Sequence, residues 1–148
     1  MRDLYCGAVV TVNARQLKIE DYGDTATRKA FARGKETQFA LIKPDAYIHT
    51  GKIIDSILQN GFIISKLKMS RFTNNTAGRL GLDGDAAAHL TSDVSTGMEI
   101  VADGAVDKWN TLCGPENSVT AKIQASSSLR AAYGTDSVQN AVHGASNN

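Results

Sequence analysis

Three consecutive runs decide the fold: Thr37-Gln38-Phe39-Ala40-Leu41-Ile42-Lys43-Pro44-Asp45, then Thr50-Gly51-Lys52-Ile53-Ile54-Asp55-Ser56-Ile57-Leu58, then Gly61-Phe62-Ile63-Ile64-Ser65-Lys66-Leu67-Lys68-Met69. Thr37 to Ile42 is a compact apolar run, and Pro44 lacks the N–H that a continuing strand would need, so the run reads as a strand ending there. From Thr50 the apolar positions Ile53, Ile54, Ile57 and Leu58 recur at threes and fours, the period of an amphipathic helix. Gly61 stands just past the end, where a helix C-terminus favours glycine. Phe62 to Met69 passes from solidly apolar to alternating, which predicts a strand with one wetter end.

Further along, Thr96 to Ala102, with Met98, Ile100 and Val101, reads as a third strand. Asp103 is placed to cap a helix carrying Ala105, Val106, Trp109, Leu112 and Cys113 on one side and closed by Gly114-Pro115. Strand, helix, strand, gap, strand, helix and a loop-rich tail predict an α/β (α+β) chain of the ferredoxin-like split βαβ type, an antiparallel sheet with helices on one face. Ahead of it, Ala8-Val9-Val10-Thr11-Val12 is rich in β-branched residues and Gln16-Leu17-Lys18-Ile19-Glu20 alternates with period two. With Asn13-Ala14 as the turn, residues 1–24 read as a short β-hairpin remnant. Residues 25–36, polar and basic, read as a linker, and 37–148 as the main domain. Between Thr73 and Leu90 the pattern lapses: Gly78, Gly81 and Gly84 interrupt it, and Ala86-Ala87-Ala88-His89-Leu90 suggests one helical turn.

A length of 148 residues fits one ordinary domain with a short arm. The 42% hydrophobic content is enough for a core, while 6% aromatics, with Trp109 alone of its kind, make that core aliphatic. No apolar run approaches the roughly 20 residues of a bilayer span, and the first residues lack a signal-like apolar segment, so no membrane partner is expected. Cys6 and Cys113 are far apart, as are His49, His89 and His143, so no metal site and idle thiols in a reducing compartment are expected. Residues 1–73 hold twelve Lys/Arg against seven Asp/Glu, and residues 74–148 hold four against eight. That basic front half suits an acidic protein surface, whereas its interspersed acids and scarce aromatics argue against nucleic acid.

The residues with chemistry lie in Ala40-Leu41-Ile42-Lys43-Pro44-Asp45, Gly97-Met98-Glu99-Ile100, Gly114-Pro115-Glu116-Asn117-Ser118, Ser128-Leu129-Arg130, and Gly134-Thr135-Asp136 through Asn140-Ala141-Val142-His143-Gly144. In this order they resemble the nucleoside diphosphate kinase family over residues 37–73 and 90–146. The resemblance implies transfer of the γ-phosphate of a nucleoside triphosphate to a diphosphate through a phosphohistidine. By motif match His143 is the catalytic nucleophile, Arg130 a phosphate clamp, and Lys43 with Asn140 contacts to ribose and phosphate. Such chemistry needs a neutral imidazole and fixed cations around the phosphates. The resemblance also implies Mg²⁺ arriving with the nucleotide and not held in a carboxylate cage.

Asn13-Ala14-Arg15-Gln16-Leu17 and Asp21-Tyr22-Gly23-Asp24 resemble the end of a DM-ten domain, the small β domain that precedes the kinase domains in the ciliary branch of this family. That implies a place in the cilium or flagellum, on the axoneme, as a cytoplasmic cytoskeletal protein. Its implied partners are tubulin and other proteins of the doublet microtubule, and the γ-tubulin ring complex. Several departures weigh against vigorous catalysis. Residues 74–89 are too short for two lid helices of about 10–12 residues each, so the domain is expected to lack that lid, and the closing C-terminal helix with its glutamate. Asn110 stands where the family has Arg, Glu116 where it has Thr, and Ala145 where it has Ser. The expectation is therefore a module acting mainly as a structural component of ciliary doublet microtubules, with weak or no phosphotransfer. An active kinase working through His143 is the alternative.

Overall fold

In the computed structural model, which describes residues 8–20, 23, 24 and 35–144, the chain divides into two units at Arg33/Gly34. In the first, β1 (Val9–Val12) pairs antiparallel with β2 (Arg15–Lys18). Asn13 and Ala14 between them have φ of 49° and 63°, the left-handed pair that lets a two-residue loop follow the twist of its strands. The hairpin expected around Asn13-Ala14 is thus present, while Asp21, Tyr22 and Cys6 lie outside the described residues. So does the expected linker up to residue 34; its last two positions, Lys35 and Glu36, belong to the next strand.

The second unit runs β3 (Lys35–Ile42), a 3₁₀ turn (Pro44–His49), α1 (Thr50–Gln59), β4 (Ile63–Arg71), α2 (Asn74–Arg79), α3 (Gly84–Ser92), β5 (Val94–Asp103), α4 (Ala105–Cys113), α5 (Ser118–Gln124), α6 (Leu129–Tyr133) and β6 (Val142–Gly144). The strands form one sheet in the order β4-β5-β3-β6, with every neighbouring pair antiparallel. This is the ferredoxin-like arrangement that the order of the runs predicts. On one face Ala40 and Ile42 of β3, Met98, Ile100 and Ala102 of β5 and Val142 of β6 pack against Ile53 and Ile57 of α1 and Ala105, Trp109 and Cys113 of α4. Side chains such as Ile53 and Ile57, both with no exposed surface, stabilise the fold by about 1.5–3 kcal/mol each. Phe62 meets Trp109 edge-on, with centroids 6.3 Å apart. Burial pushes the Cys113 thiol up to about 12, so it is an inert core side chain.

Several local expectations change. From residue 74 to residue 92 the chain forms two short helices of 6 and 9 residues, the second running three residues beyond the gap. Thr73 starts α2 by accepting the Thr76 N–H on its side chain, and Gly81 and Gly84, at φ of 72° and 48°, turn the chain into α3. Ala77 and Leu90 cover Leu41 on the second face of the sheet, with Phe39, Phe72, Leu80, Leu82 and Ala87 around them. Helices therefore lie on both faces. The alternation along β3 requires this, because Leu41 points away from Ala40 and Ile42.

Helix α4 begins after Gly104, at φ 61°, and not on an Asp103 cap, since β5 runs on through Asp103 to pair with Lys35. The Glu36 carboxylate accepts the Val106 N–H instead. Thr50 is the first residue of α1, with His49 at the cap position, and its hydroxyl donates back to Tyr47 O of the 3₁₀ turn. The tail is not loop-rich. It holds α5, α6 and the edge strand β6, whose three residues were too short to show a period.

Candidate active site

The site grows from the end of β3 and the whole of β6. Ile42 pairs with Val142, Leu41 with His143 and Ala40 with Gly144. Directly paired residues share a face, so Val142 enters the core with Ile42 while His143 sits with Leu41 on the side of α2 and α3. Lys43, two residues beyond Leu41, belongs to that side as well. Gly144 lies against Trp109, where a Cβ would run into the indole nitrogen.

Lys43, Asn140 and Arg130, proposed from motif match, do come together around β6. Lys43 is 3% exposed, and its Nζ donates to Asn140 Oδ1 at 2.7 Å and to Val138 O at 3.1 Å. Asn140 Nδ2 donates to Glu116 O at 2.9 Å and to Ser137 O at 3.2 Å, which fixes the orientation of its amide. Arg130, in α6 behind the Ser128 cap, donates from Nη1 to Gly114 O at 2.7 Å. Its Nε and Nη2 both reach Val142 O, at 3.4 Å and 3.3 Å. The residues expected to grip phosphate thus also tie Gly114, Glu116, Ser137 and Val138 to the strand bearing His143. Asp136 closes the loop before Asn140 by accepting the Val138 and Gln139 N–H groups on one oxygen, both at 2.7 Å. Those two backbone donors, Gln139 first, hold its carboxyl below the usual value.

The His143 imidazole is part-buried, and its Nε2 is buried with no hydrogen-bond partner among the described residues. Burial lowers the His143 pKa below 6.5, the positive charges of Lys43 and Arg130 lower it further, and Glu116 opposes them. The ring is therefore neutral at neutral pH, the state a nucleophile needs. Lys43 is also pushed down, first by burial and then by Arg130, with Asp45, Glu116 and Asp136 acting the other way. The Glu116 side chain is exposed, yet its charge reaches both Lys43 and His143. Asn110, also exposed, contributes its carbonyl to the Gly114 N–H. Ala145 lies outside the described residues.

Two residues of the site have no assigned role in the motif pattern. Asp45 Oδ2 accepts the Ala141 N–H at 2.8 Å, and Asp45 Oδ1 lies 2.9 Å from His89 Nε2. Asp45 is visible as the last residue of the Lys43-Pro44-Asp45 motif, whereas His89, 44 positions away, gives no signal of its own. His49 is elsewhere, with its ring 4.9 Å from that of Tyr133.

No cluster of three His, Cys, Asp or Glu able to hold a metal exists among the described residues. Two clefts of about 580 Å³ and 300 Å³ open elsewhere, one beside Phe62 and Lys108 and the other beside Phe39 and Phe72. Neither is lined by His143, Lys43, Arg130 or Asn140, and the chemistry argues for the site and not for the larger hollow. Among the described residues no helix is long and apolar enough to cross a membrane.

Comparison with known proteins agrees with this fold. The profile of the nucleoside diphosphate kinase family matches residues 36–148. Nucleoside diphosphate kinase homolog 7 of Mus musculus is 40% identical over 151 residues, covering 97% of this chain and 38% of that protein. Nucleoside diphosphate kinase homolog 5 of Mus musculus is 37% identical over 117 residues, covering 74% of this chain and 55% of that one. A crystal structure of the Aquifex aeolicus nucleoside diphosphate kinase superposes with a TM-score of 0.70 at 31% identity, over 74% of this chain and 84% of that chain. The chain spans 38% of the length of homolog 7. Sheet order, motif order and matched span all lead to one assignment: the chain belongs to the nucleoside diphosphate kinase family.

Proposed function

We propose that this chain is a nucleoside diphosphate kinase-like module working mainly as a structural component of ciliary doublet microtubules, in which His143 still accepts a phosphoryl group but phosphotransfer is weak. The observation that carries the weak-transfer half is the internal engagement of Lys43, Arg130 and Asn140 on Val138, Gly114, Val142, Glu116 and Ser137, with the Glu116 charge added where phosphates would lie. An incoming nucleotide must compete with bonds already made and with a like charge. The axonemal half is supported by the DM-ten-like hairpin, the likeness to homolog 7 and the basic first half of the chain. Tubulin and other doublet proteins are its proposed partners in the cytoskeleton of the cilium or flagellum, and the γ-tubulin ring complex a further one.

Incubation with γ-labelled ATP and Mg²⁺ tests the site. Slow, acid-labile and base-stable label that is lost with His143→Ala is expected, and a folded protein taking no label overturns phosphoryl acceptance. Washing axonemes in high salt tests the location. Retention on doublets is expected, and release with the soluble matrix overturns the structural role.

A His143 held neutral by burial and by the charges of Lys43 and Arg130 favours a second reading, an active kinase. There the imidazole of His143 attacks the γ-phosphorus, the bond to the departing diphosphate oxygen breaks, and a second diphosphate takes the phosphoryl group by breaking the N–P bond. Turnover between a triphosphate and a different diphosphate at rates far above the single labelling event distinguishes it.

A further inference from the structure

We propose that His89 is a positioning residue for His143, acting through Asp45 and the Ala141 peptide group; this rests on the reading of His143 as a phosphoryl acceptor. The Asp45 and His89 side chains are 9% and 13% exposed and 2.9 Å apart. An ionised carboxylate only accepts hydrogen bonds, so the His89 proton in this pair is on Nε2. The second Asp45 oxygen takes the Ala141 N–H at 2.8 Å. With one oxygen on each donor, the plane of the carboxylate is fixed, which a single bond would not achieve.

Ala141 is where that fixation matters. Its φ is 66°, a left-handed conformation that a residue with a Cβ adopts only when its surroundings impose it. The imposing groups are Asp45 on its N–H and the Lys43 N–H on its carbonyl, at 2.8 Å. The bend at Ala141 aims Asn140 toward Lys43 and places Val142 and His143 in register with Ile42 and Leu41. His89 belongs to α3, whose Leu90 packs in the cluster around Leu41, the residue paired with His143. Helix α3 therefore holds the nucleophile's strand by an apolar link, Leu90 to Leu41, and by a polar one, His89 to Asp45. Loss of the polar link frees the Asp45 carboxylate to rotate and the Ala141 bend to relax, which misaims the imidazole.

The test uses the full chain, with potassium phosphoramidate as a phosphoryl donor that carries no nucleoside. His143 attacks its phosphorus, the P–N bond to the amine breaks and ammonia leaves. His89→Leu is expected to slow labelling roughly tenfold, the ratio that loss of a charge-assisted hydrogen bond gives, and to move the Ala141 amide resonance upfield. His89→Gln, whose amide reaches as far as Nε2, is expected to restore both. If His89→Leu does not fold, His89→Asn, polar but too short to reach Asp45, takes its place with the same expectation. Labelling at the wild-type rate or an unmoved Ala141 amide in the Leu or Asn variant overturns the proposal, as does failure of Gln to rescue. A wild-type chain that takes no label sinks the reading of His143 instead, and the amide resonance then decides alone whether His89 acts through Asp45.

Discussion

Lys43 Nζ lies 2.7 Å from Asn140 Oδ1, a bond between residues 97 positions apart that joins the end of β3 to the turn feeding β6. With the lysine 3% exposed, this bond and the one to Val138 O take the place of the water its charge has lost. Asn140→Leu removes an acceptor from a buried cation and two donors from the carbonyls of Glu116 and Ser137, so a loss of about 3 kcal/mol is expected by urea unfolding. Adding Lys43→Met to that variant should recover part of the loss, because the stranded charge goes with it. The folded pKa of Lys43 is lowered from 10.5. Its charge penalty is thus fully present at neutral pH and fades as pH rises from the folded value toward 10.5. The advantage of the double variant over Asn140→Leu should shrink in that same alkaline window, and equal stability of the two at neutral pH would refute the account.

Glu116 is the residue whose charge opposes the site's purpose. It raises the pKa of Lys43 and of His143, so its charge favours the protonated form of both. Glu116→Thr should move the His143 pKa further below 6.5, since a stabiliser of the imidazolium has gone. The same change removes a like charge from the phosphate region, and Mg-ADP affinity by calorimetry should rise about tenfold, the ratio of a modest ion–ion repulsion. A His143 titration that stays put or moves upward in ¹⁵N spectra would mean that the carboxylate faces away from the ring.

Much of this arrangement was legible before any coordinate. Pro44 stopped β3 in the right place, Gly61 (φ 78°) ended α1, and the ordered motifs brought Lys43, Arg130, Asn140 and His143 to one place. What stayed hidden was hidden for physical reasons. Helices α2 and α3, at 6 and 9 residues, complete too few turns to display a period, and they exist because Leu41 needs cover on the second face of the sheet. Strand β6 owes its pairing to the Ala141 bend and the Asp45 carboxylate, neither of which leaves a hydrophobic pattern. His89 is specified only by a partner 44 positions away. Arg130 was read as a phosphate group's partner, yet three of its hydrogen bonds go to backbone carbonyls, a role that sequence spacing cannot separate from binding.

Gly144 offers a test of how tightly β6 is seated. A Cβ there would overlap Trp109 Nε1 and Cδ1, and Trp109 is fully buried beneath the sheet. Gly144→Ala must therefore displace either the indole or the strand, at a cost of about 1–3 kcal/mol for overpacking. Because Trp109 is the single tryptophan of the chain, its fluorescence reports the site directly. A red shift in emission and a lower urea midpoint are expected, and an unchanged spectrum with unchanged stability would place the strand edge further from the indole.

The pH dependence of His143 follows from the direction of its shift. Burial leads the causes that hold its pKa below 6.5 in the folded chain, while the unfolded chain titrates near the ordinary value. Between the folded value and 6.5 the unfolded state therefore binds more protons, and stability must rise with pH across that window and gain nothing more above it. Going down to about pH 5, the wild type should lose more stability than His143→Gln, which keeps an amide of similar reach and carries no proton to gain. The difference between the two proteins isolates His143 from His49 and His89, which both retain. The same shift extends the neutral, nucleophilic ring to lower pH, so phosphoramidate labelling of the wild type should have its acid midpoint below 6.5. A midpoint at or above 6.5, together with equal acid sensitivity of wild type and His143→Gln, would mean that Lys43, Arg130 and burial leave the imidazole untouched and that the site is not poised for attack at phosphorus.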